Sequence, residues 1–204
     1  MLFRSASGAN AQLSARDIDR LPDSLFVDTG LLLIAGLEVP LDAVKAAIHR
    51  ASAAGVPILL NPAPVDGDLM DLDLLHQVDV MTPNRGELAT LTGIETTSEE
   101  GIILAARKLP SRAVIVTLGS DGCMVLQSGE ARKIPAHIVQ TIDTVGAGDA
   151  FNGALAVAMA EGRSLFEAAT WASAAAALSV TRPGAQSALP SRAEIDRQAS
   201  TRYA

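Results

Sequence analysis

The sequence predicts an α/β protein in which helices cover both faces of a mostly parallel sheet, that is, a three-layer α/β/α sandwich. Short apolar segments alternate along the chain with helix-like segments, which is the order typical of a parallel sheet. These segments are continuously apolar, as expected for strands that are buried on both faces. The chain has 204 residues, 49% of them hydrophobic and 19% charged. This length and composition suit one domain with a full core, so we interpret residues 1–204 as a single domain.

The first half of the chain supplies three predicted strands and one clear helix. Residues 31–35 (LLLIA) form a short apolar run that predicts a buried strand. Residues 41–53 have apolar side chains at helical spacing and predict a helix. The runs 56–60 (VPILL) and 78–81 (VDVM) predict the next two strands, the former with its proline near the start.

The second half begins with a helix opening near Asn84 and then the clearest strand, residues 113–118 (AVIVTL). Further elements follow: a hairpin of 123–127 and 131–134, two alanine-rich helices at 147–161 and 165–181, and an amphipathic helix at 192–200. The four alanines at 174–177 have little bulk, so we expect them to pack closely against a neighbouring element.

Composition excludes several classes of function. The net charge is −7 with no basic cluster, which argues against a nucleic-acid partner. Apolar runs such as 31–37 are too short to span a bilayer, so we expect no membrane partner. Cys123 is the only cysteine, which rules out an intrachain disulfide and favours a cytoplasmic location. The three histidines are scattered, and the Walker A, G-x-S-x-G and G-x-G-x-x-G patterns are absent.

The most informative segment runs from Asp143 to Gly153 and reads DTVGAGDAFNG. Its small residues lead directly into an apolar helix, which places uncovered backbone N–H groups at a helix N-terminus. Such an end binds anions, because its unpaired donors and the helix dipole both favour negative charge. A carboxylate at Asp149 would repel an anion, so a functional role such as abstracting a proton from an attacking hydroxyl is one interpretation. The alternative is that Asp149 caps the helix and the glycines form a turn.

Three polar segments follow predicted strands, where ligands of open α/β sheets bind. They are residues 61–64 (NPAP), 82–87 (TPNRGE) and 117–122 (TLGSDG). Two of the three have a simpler interpretation, because Asn84 and Glu87 have the spacing of a capping box and residues 117–122 can form a strand exit. Asp143, taken alone, can likewise be an exposed loop acid.

The segment from 143 to 153, together with the N-x-x-E and T-L-G-x-x-G segments, resembles the ribokinase-like family of sugar kinases. The resemblance implies that Asp149 is the catalytic base. It also implies that the amides of Gly146, Ala147 and Gly148 form an anion hole for the transferred phosphoryl group.

The resemblance further implies sites for ATP, Mg²⁺ and a monovalent cation, usually K⁺. Glu87 would orient the water shell of Mg²⁺. The ATP contacts implied by the family are Asn84, Thr117, Gly119, Ser120, Gly122 and Ser173. The implied K⁺ ligands are the Asp143 carboxylate and groups, mostly backbone carbonyls, of Val145, Val180, Pro183, Ala185 and Ser187.

On the sugar side, residues 7–11, 37–40 and 61–64 resemble mid-chain segments of ribokinases. Glu38 matches a family position that contacts sugar hydroxyls. The glycine-rich G-G-x-x-x-N segment, a sugar-gripping Asp and a β lid, which begin family members, are not found here. Because the lid makes the dimer contact in many members, a homodimer is doubtful for this chain.

The resemblance therefore predicts ATP-dependent phosphorylation of the primary hydroxyl of a sugar, with D-ribose giving ribose 5-phosphate. The segments 61–64 and 182–186 favour ribose by resemblance. Two alternatives stay open. One is a catalytically inactive nucleotide-binding fragment of a truncated or split sugar kinase, and the other is a kinase of the same fold for fructose or a nucleoside.

Overall fold

A computed structural model describes residues 8–27, 30, 32–34, 36–65 and 72–200 of the chain. The strands are β1 Leu32–Ile34, β2 Ile58–Leu60, β3 Val80–Met81, β4 Ala113–Thr117, β5 Cys123–Gln127 and β6 Glu130–Ile134. The helices are α1 Ala15–Asp19, α2 Ser24–Val27, α3 Leu41–Ala53, α4 Leu72–Leu75, α5 Arg85–Thr92, α6 Glu99–Ala106, α7 Ala147–Ala160, α8 Leu165–Ser179 and α9 Arg192–Ser200. Ser7, Leu31 and Ala35, which belong to predicted segments, lie outside the described residues.

The six strands form one sheet whose spatial order follows the chain, β1 to β6. β1 to β4 are parallel, with Ile34 beside Leu60, Leu60 beside Met81 and Met81 beside Val114. β5 and β6 are antiparallel and close the sheet as a hairpin. The predicted fold class, a mostly parallel sheet between helices, is confirmed.

The hairpin turns at Ser128 and Gly129, which have φ angles of 52° and 84°. Two successive positive φ angles are the signature of the tight turn that matches the twist of a β-hairpin. The predicted hairpin between β5 and β6 is thus confirmed.

Alternate side chains of β4 enter two different cores. Val114 and Val116 pack on the side of the sheet that α3, α5 and α6 cover. Ala113 and Ile115 pack on the opposite side, under α7 and α8, in what we call the second core. All four side chains are at most 4% exposed. A strand with helices on both sides has no solvent face, which explains why β4 is apolar without interruption.

The alanine run of α8 lies in close contact with the rest of the second core, as predicted. Ala174 and Ala175 are at most 1% exposed. Together with Ala168, Ala169 and Ala172, which are fully buried, they let α8 approach α7 and the sheet closely. Small side chains at a helix contact shorten the distance between the packed elements.

The predicted long helices and strands occur with bounds that differ by at most two residues for most elements. The short helices α1, α2 and α4, and also α6, were not predicted. α6 did carry a signal, because Ser98 precedes it and accepts a hydrogen bond from the Gly101 N–H at 3.1 Å. Within the described ranges, no helix combines the length and apolarity needed to cross a membrane.

Candidate active site

The three polar segments predicted from the sequence lie side by side at the carboxyl ends of β2, β3 and β4. Asn61 Nδ2 donates to the Thr82 carbonyl at 2.8 Å, which joins the first two segments. The Thr117 N–H donates to the Pro83 carbonyl at 3.0 Å, which joins the second and third. Parallel strands bring their carboxyl ends to one edge, so segments far apart in sequence converge there.

The second segment forms the first turn of α5, and its Asn84 and Glu87 make a capping box. Asn84 Oδ1 accepts from the Glu87 N–H at 2.9 Å, and a Glu87 carboxylate oxygen accepts from the Asn84 N–H at 2.8 Å. The capping interpretation is thus confirmed. Partial burial raises the pKa of Glu87, and the hydrogen bond from the Asn84 N–H opposes this change.

The third segment makes a 3₁₀ turn over Gly119–Asp121 after β4. Gly119 has a φ of 61° and open space where a Cβ would stand, so its backbone is accessible. Gly122 has a φ of 92°, and a Cβ there would lie 2.0 Å from the Ile134 carbonyl oxygen. Its requirement for glycine therefore comes from packing against the end of β6. An ion pair of 2.5 Å between Arg85 and Asp121 ties this turn to α5.

Gly146 is the N-cap of α7, with a left-handed φ of 79° and no side-chain cap. The Ala150 N–H donates to the Gly146 carbonyl at 2.9 Å, so the helix ladder starts there. The N–H groups of the first helical turn have no intrahelical acceptor. Ala147 donates to the Thr144 carbonyl at 3.3 Å within the turn, whereas Gly148 and Asp149 are exposed. Asp149 is the third helical residue, so its interpretation as the helix cap is wrong.

The Asp143 carboxylate links the turn before α7 to the segment after α8. Its oxygens accept from the Gly184 N–H at 2.9 Å and the Val145 N–H at 3.1 Å. These hydrogen bonds, the Gly184 one first, lower the pKa of Asp143. The Val180 carbonyl accepts from the Ile142 N–H at 2.7 Å. The interpretation of Asp143 as a merely solvated acid is therefore wrong.

The hydrogen bond from the Gly184 N–H to Asp143 also brings the predicted cation segment against the turn before α7. A Cβ added to Gly146 would lie 3.3 Å from Ala185 Cα, so the two backbones touch. The Pro183 carbonyl accepts from Ser187 Oγ at 3.2 Å, which fixes the far side of this segment. The groups available to a cation here are the Asp143 carboxylate and backbone carbonyl oxygens, which are the ligands that hard cations prefer.

No three His, Cys, Asp or Glu side chains of the described chain gather as a metal site. A monovalent cation held mostly by carbonyl groups does not need such a cluster. A Mg²⁺ ion keeps most of its waters when it binds with a nucleotide, so a single carboxylate suffices. Glu87 has lone pairs beyond those that the capping box uses. The residues present thus fit both ions.

Two further predicted residues fall in different surroundings. Glu38 is exposed and follows Leu37, whose N–H donates to the Ala63 carbonyl at 2.6 Å. Glu38 therefore lies beside the segment 61–64.

Ser173 is 7% exposed, and its hydroxyl is 3.7 Å from the Cys123 thiol inside the second core. This position gives Ser173 a packing role and little surface for a nucleotide.

Thr82 and Asn152 form a buried polar pair that connects α7 to the strand ends and was not predicted from the sequence. Thr82 Oγ1 donates to Asn152 Oδ1 at 2.7 Å. The available signal was a polar Asn152 between the apolar Phe151 and Leu155 of a helix whose inner face is buried. The Arg85–Asp121 pair was not predicted either, because spacing in the sequence carries no signal for it.

Comparison with known proteins gives a consistent result. The chain matches the pfkB family of carbohydrate kinases over residues 2–192. It is 40% identical over 192 residues to the ribokinase of Haemophilus influenzae, covering 93% of this chain and 61% of that protein. It is 37% identical over 187 residues to the deoxyribokinase of Salmonella typhi, covering 90% and 60% respectively.

Among solved structures, the Arabidopsis thaliana ribokinase complexed with ribose and ATP matches with a TM-score of 0.84 and 32% identity. That match covers 95% of this chain and 63% of the other. The chain thus spans about three fifths of the length of the curated relatives named above, at 61% and 60%. Since the family match extends over most of the chain, the expected resemblance is confirmed, and this chain belongs to the pfkB family of carbohydrate kinases.

Proposed function

We propose that the chain carries the phosphoryl-transfer site of an ATP-dependent sugar kinase, with D-ribose as the acceptor and ribose 5-phosphate as the product. The observation that carries the proposal is the first turn of α7. It presents an exposed acid, Asp149, beside the N–H of Gly148, which is also exposed. A general base and an anion-binding helix end on one turn are the two groups that transfer to a hydroxyl requires.

The reaction assigns one role to each group. The Asp149 carboxylate accepts the proton of the sugar's primary hydroxyl, and the oxygen forms a bond to the γ-phosphorus of ATP. The bond from that phosphorus to the bridging oxygen breaks, and ADP leaves with the electron pair. The N–H groups of the turn 146–148 donate to the phosphoryl oxygens, where negative charge must be stabilised during transfer.

The remaining predicted residues bind and orient the nucleotide. Asn84 and the turn from Thr117 through Gly119 and Ser120 to Gly122 lie at the rim where the phosphates and ribose of ATP would rest. Glu87 would hold Mg²⁺ through water, and the ion supplies charge neutralisation on the phosphates. Asp143 and the carbonyls of 145 and 180–187 would hold K⁺, which supplies positive charge next to the anion-binding turn. We leave Ser173 out of the proposed nucleotide site because it is buried.

The sugar contacts proposed for this chain are Asp149 and Glu38. Glu38 lies beside the segment 61–64, on the sugar side expected from the family, because Leu37 is hydrogen-bonded to Ala63. One relative is a deoxyribokinase. D-ribose, 2-deoxy-D-ribose, fructose and a nucleoside should therefore be compared as acceptors.

The test is ADP release with each acceptor in the presence of ATP, Mg²⁺ and K⁺, for the wild type and Asp149→Asn. Loss of general-base catalysis costs about 10²–10⁴ in rate, so we expect kcat to fall by that factor. The matched control is Asp73→Asn, which removes an exposed acid from the first turn of α4 and should leave kcat unchanged. An Asp149→Asn variant with full activity would refute the mechanism.

ATP binding without turnover would support a different function. If the wild type binds ATP but turns over no acceptor, the chain is a nucleotide-binding fragment of a sugar kinase. The chain covers 61% of the Haemophilus ribokinase. Activity that appears on adding a separate N-terminal segment of a ribokinase would instead indicate a split enzyme.

A further inference from the structure

A chain of hydrogen bonds, buried at its centre, runs from the end of β2 to the first turn of α7. Asn61 Nδ2 donates to the Thr82 carbonyl at 2.8 Å. Thr82 Oγ1 donates to Asn152 Oδ1 at 2.7 Å, and Asn152 Nδ2 donates to the Gly148 carbonyl at 3.0 Å. Thr82 is 1% exposed and Asn152 is 3% exposed. The chain thus ends on the backbone of the turn that presents the anion-binding amides.

The pair occupies a place where apolar residues would pack with less cost. Asn152 lies between Phe151 and Leu155, whose side chains are at most 4% exposed in the second core. Burying an amide and a hydroxyl is unfavourable unless each is hydrogen-bonded. Here the two side chains are hydrogen-bonded to each other, which compensates the cost of burying them.

Such a bond restricts the helix more than apolar packing does. A helix held by alanine and leucine contacts alone tolerates small rotations or shifts, because dispersion contacts have no strong direction. A hydrogen bond weakens steeply when its distance or angle changes. The Thr82–Asn152 bond therefore fixes one register between α7 and the end of β3.

We propose that Thr82 and Asn152 are positioning residues for the reaction. They hold Asp149 and the Gly148 amide at a fixed place relative to the segments 61–64 and 82–87. Thr82 and Asn152 are only 1% and 3% exposed, so they would act through the turn and not by touching a substrate. The link to turnover rests on the function proposed above, whereas the mechanical link between the strands and α7 does not.

The kinetic test uses variants that keep shape and change hydrogen bonding. Thr82→Val removes the hydroxyl, Asn152→Leu removes both amide bonds, and Thr82→Ser keeps the hydroxyl. A displacement of about 1 Å at a reacting group costs about 10² in rate. We expect the first two variants to lower kcat by about 10- to 100-fold with KM for ATP nearly unchanged, and Thr82→Ser to restore most of kcat.

The double variant Thr82→Val/Asn152→Leu tests whether the two residues act together. Because they share one hydrogen bond, their effects on kcat should be far from additive. We expect the double variant to be no slower than the slower single variant. Additive losses would mean that the residues act separately and would overturn the proposal.

Thr170→Val is the matched control for a lost buried hydroxyl. Thr170 is 6% exposed and its hydroxyl donates to the Phe166 carbonyl at 2.8 Å within α8, away from the site. Its kcat per folded molecule should equal that of the wild type. If Thr82→Val behaves in the same way, losing stability alone, the positioning role is refuted.

Amide hydrogen exchange gives a readout that does not need turnover. The Ala150 N–H, which donates to the Gly146 carbonyl at 2.9 Å, reports opening of the first hydrogen-bonded turn of α7. We expect its exchange to be about tenfold faster in Thr82→Val and Asn152→Leu than in the wild type, Thr82→Ser and Thr170→Val. Unchanged exchange would refute the inference, whereas an inactive wild type would refute only the proposed function.

Discussion

Gly119 and Gly122 lie in the same turn after β4, and both have positive φ angles, 61° and 92°. Their surroundings differ. Nothing lies within 4 Å of a Cβ added at Gly119, whereas one added at Gly122 would approach the Ile134 carbonyl oxygen to 2.0 Å and the Ala136 nitrogen to 2.6 Å. Both obstacles belong to backbone, which cannot move aside as the end of a flexible side chain can.

The two glycines therefore predict different costs for the same substitution. Gly119→Ala should lower the free energy of unfolding by about 1–2 kcal/mol, the cost of a left-handed non-glycine residue. Gly122→Ala should lower it further. A Cβ there costs about 1–3 kcal/mol for overpacking, and the φ of 92° and ψ of −126° at Gly122 lie outside the left-handed helical region that other residues can adopt. Urea unfolding of both variants measures the difference, and Gly119→Ala is the comparison for a positive φ without a clash. Equal midpoints for the two variants would mean that neither the clash with Ile134 nor the rarer backbone conformation of Gly122 costs stability.

Residues with a chemical pattern of their own could be predicted from the sequence. Asp149, Asn84 and Glu87 stand in recognisable motifs, and the structure brings their segments to the same edge of the sheet. Thr82 and Asn152 are 70 residues apart, and no local pattern connects them. Their pairing depends on where α7 crosses the end of β3, which only the assembled fold determines.

At the scale of elements, α9 and the segment after α8 are held together by one carboxylate. Glu194 accepts from the Ser191 N–H and from Ser191 Oγ, both at 2.7 Å, and it forms an ion pair with Arg182. Arg182 belongs to the segment proposed to hold K⁺. These bonds, the Ser191 ones first, lower the pKa of Glu194 from 4.5 to about 2.

This lowered pKa predicts how stability depends on pH. A carboxyl whose pKa is lower in the folded state stabilises the protein above its unfolded pKa and loses that contribution as the pH falls through its folded pKa. For Glu194 the window runs from 4.5 down to about 2. Glu194→Gln should therefore lower the urea midpoint at neutral pH, and its deficit relative to the wild type should shrink as the pH approaches 2.

Glu130→Gln, at the exposed start of β6, is the control for removing a surface glutamate. Its urea midpoint should follow that of the wild type across the same pH range. A deficit of Glu194→Gln that stays constant from neutral pH to about pH 2 would show that the carboxylate contributes through packing rather than through charge.

The shortest helices were not predicted from the sequence, and the reason is their length. α3 was predicted with its observed bounds, because 13 residues hold several repeats of the helical period. α4 spans four residues, Leu72–Leu75, which is too short for a period to show. α1 has five residues and α2 has four, so their helical form also depends on contacts with the rest of the fold.

At the scale of the whole molecule, net charge and local structure should act in opposite directions on the proposed nucleotide. The chain carries a net charge of −7, which repels ATP at long range. Attraction must then come from short range, where the N-terminal turns of α5 and α7 offer N–H groups and their helix dipoles. Both turns adjoin the carboxyl ends of β2 to β4, so their effects combine at one edge of the sheet.

We therefore expect ATP with Mg²⁺ and K⁺ to raise the melting temperature of the chain. A ligand at 100 times its Kd stabilises by about 2.7 kcal/mol. For a chain of this size each kcal/mol corresponds to about 2–4 °C, so the expected rise is about 5–11 °C. Thermal unfolding with and without ATP measures it.

Two variants separate the contributions to this rise. Asp149→Asn should keep it, because the proposed base acts on the sugar. Asp143→Asn should lose the part of the rise that K⁺ adds when it replaces an organic cation at equal ionic strength. A melting temperature that does not respond to ATP would mean that the N–H groups at this edge do not overcome the repulsion of the acidic chain.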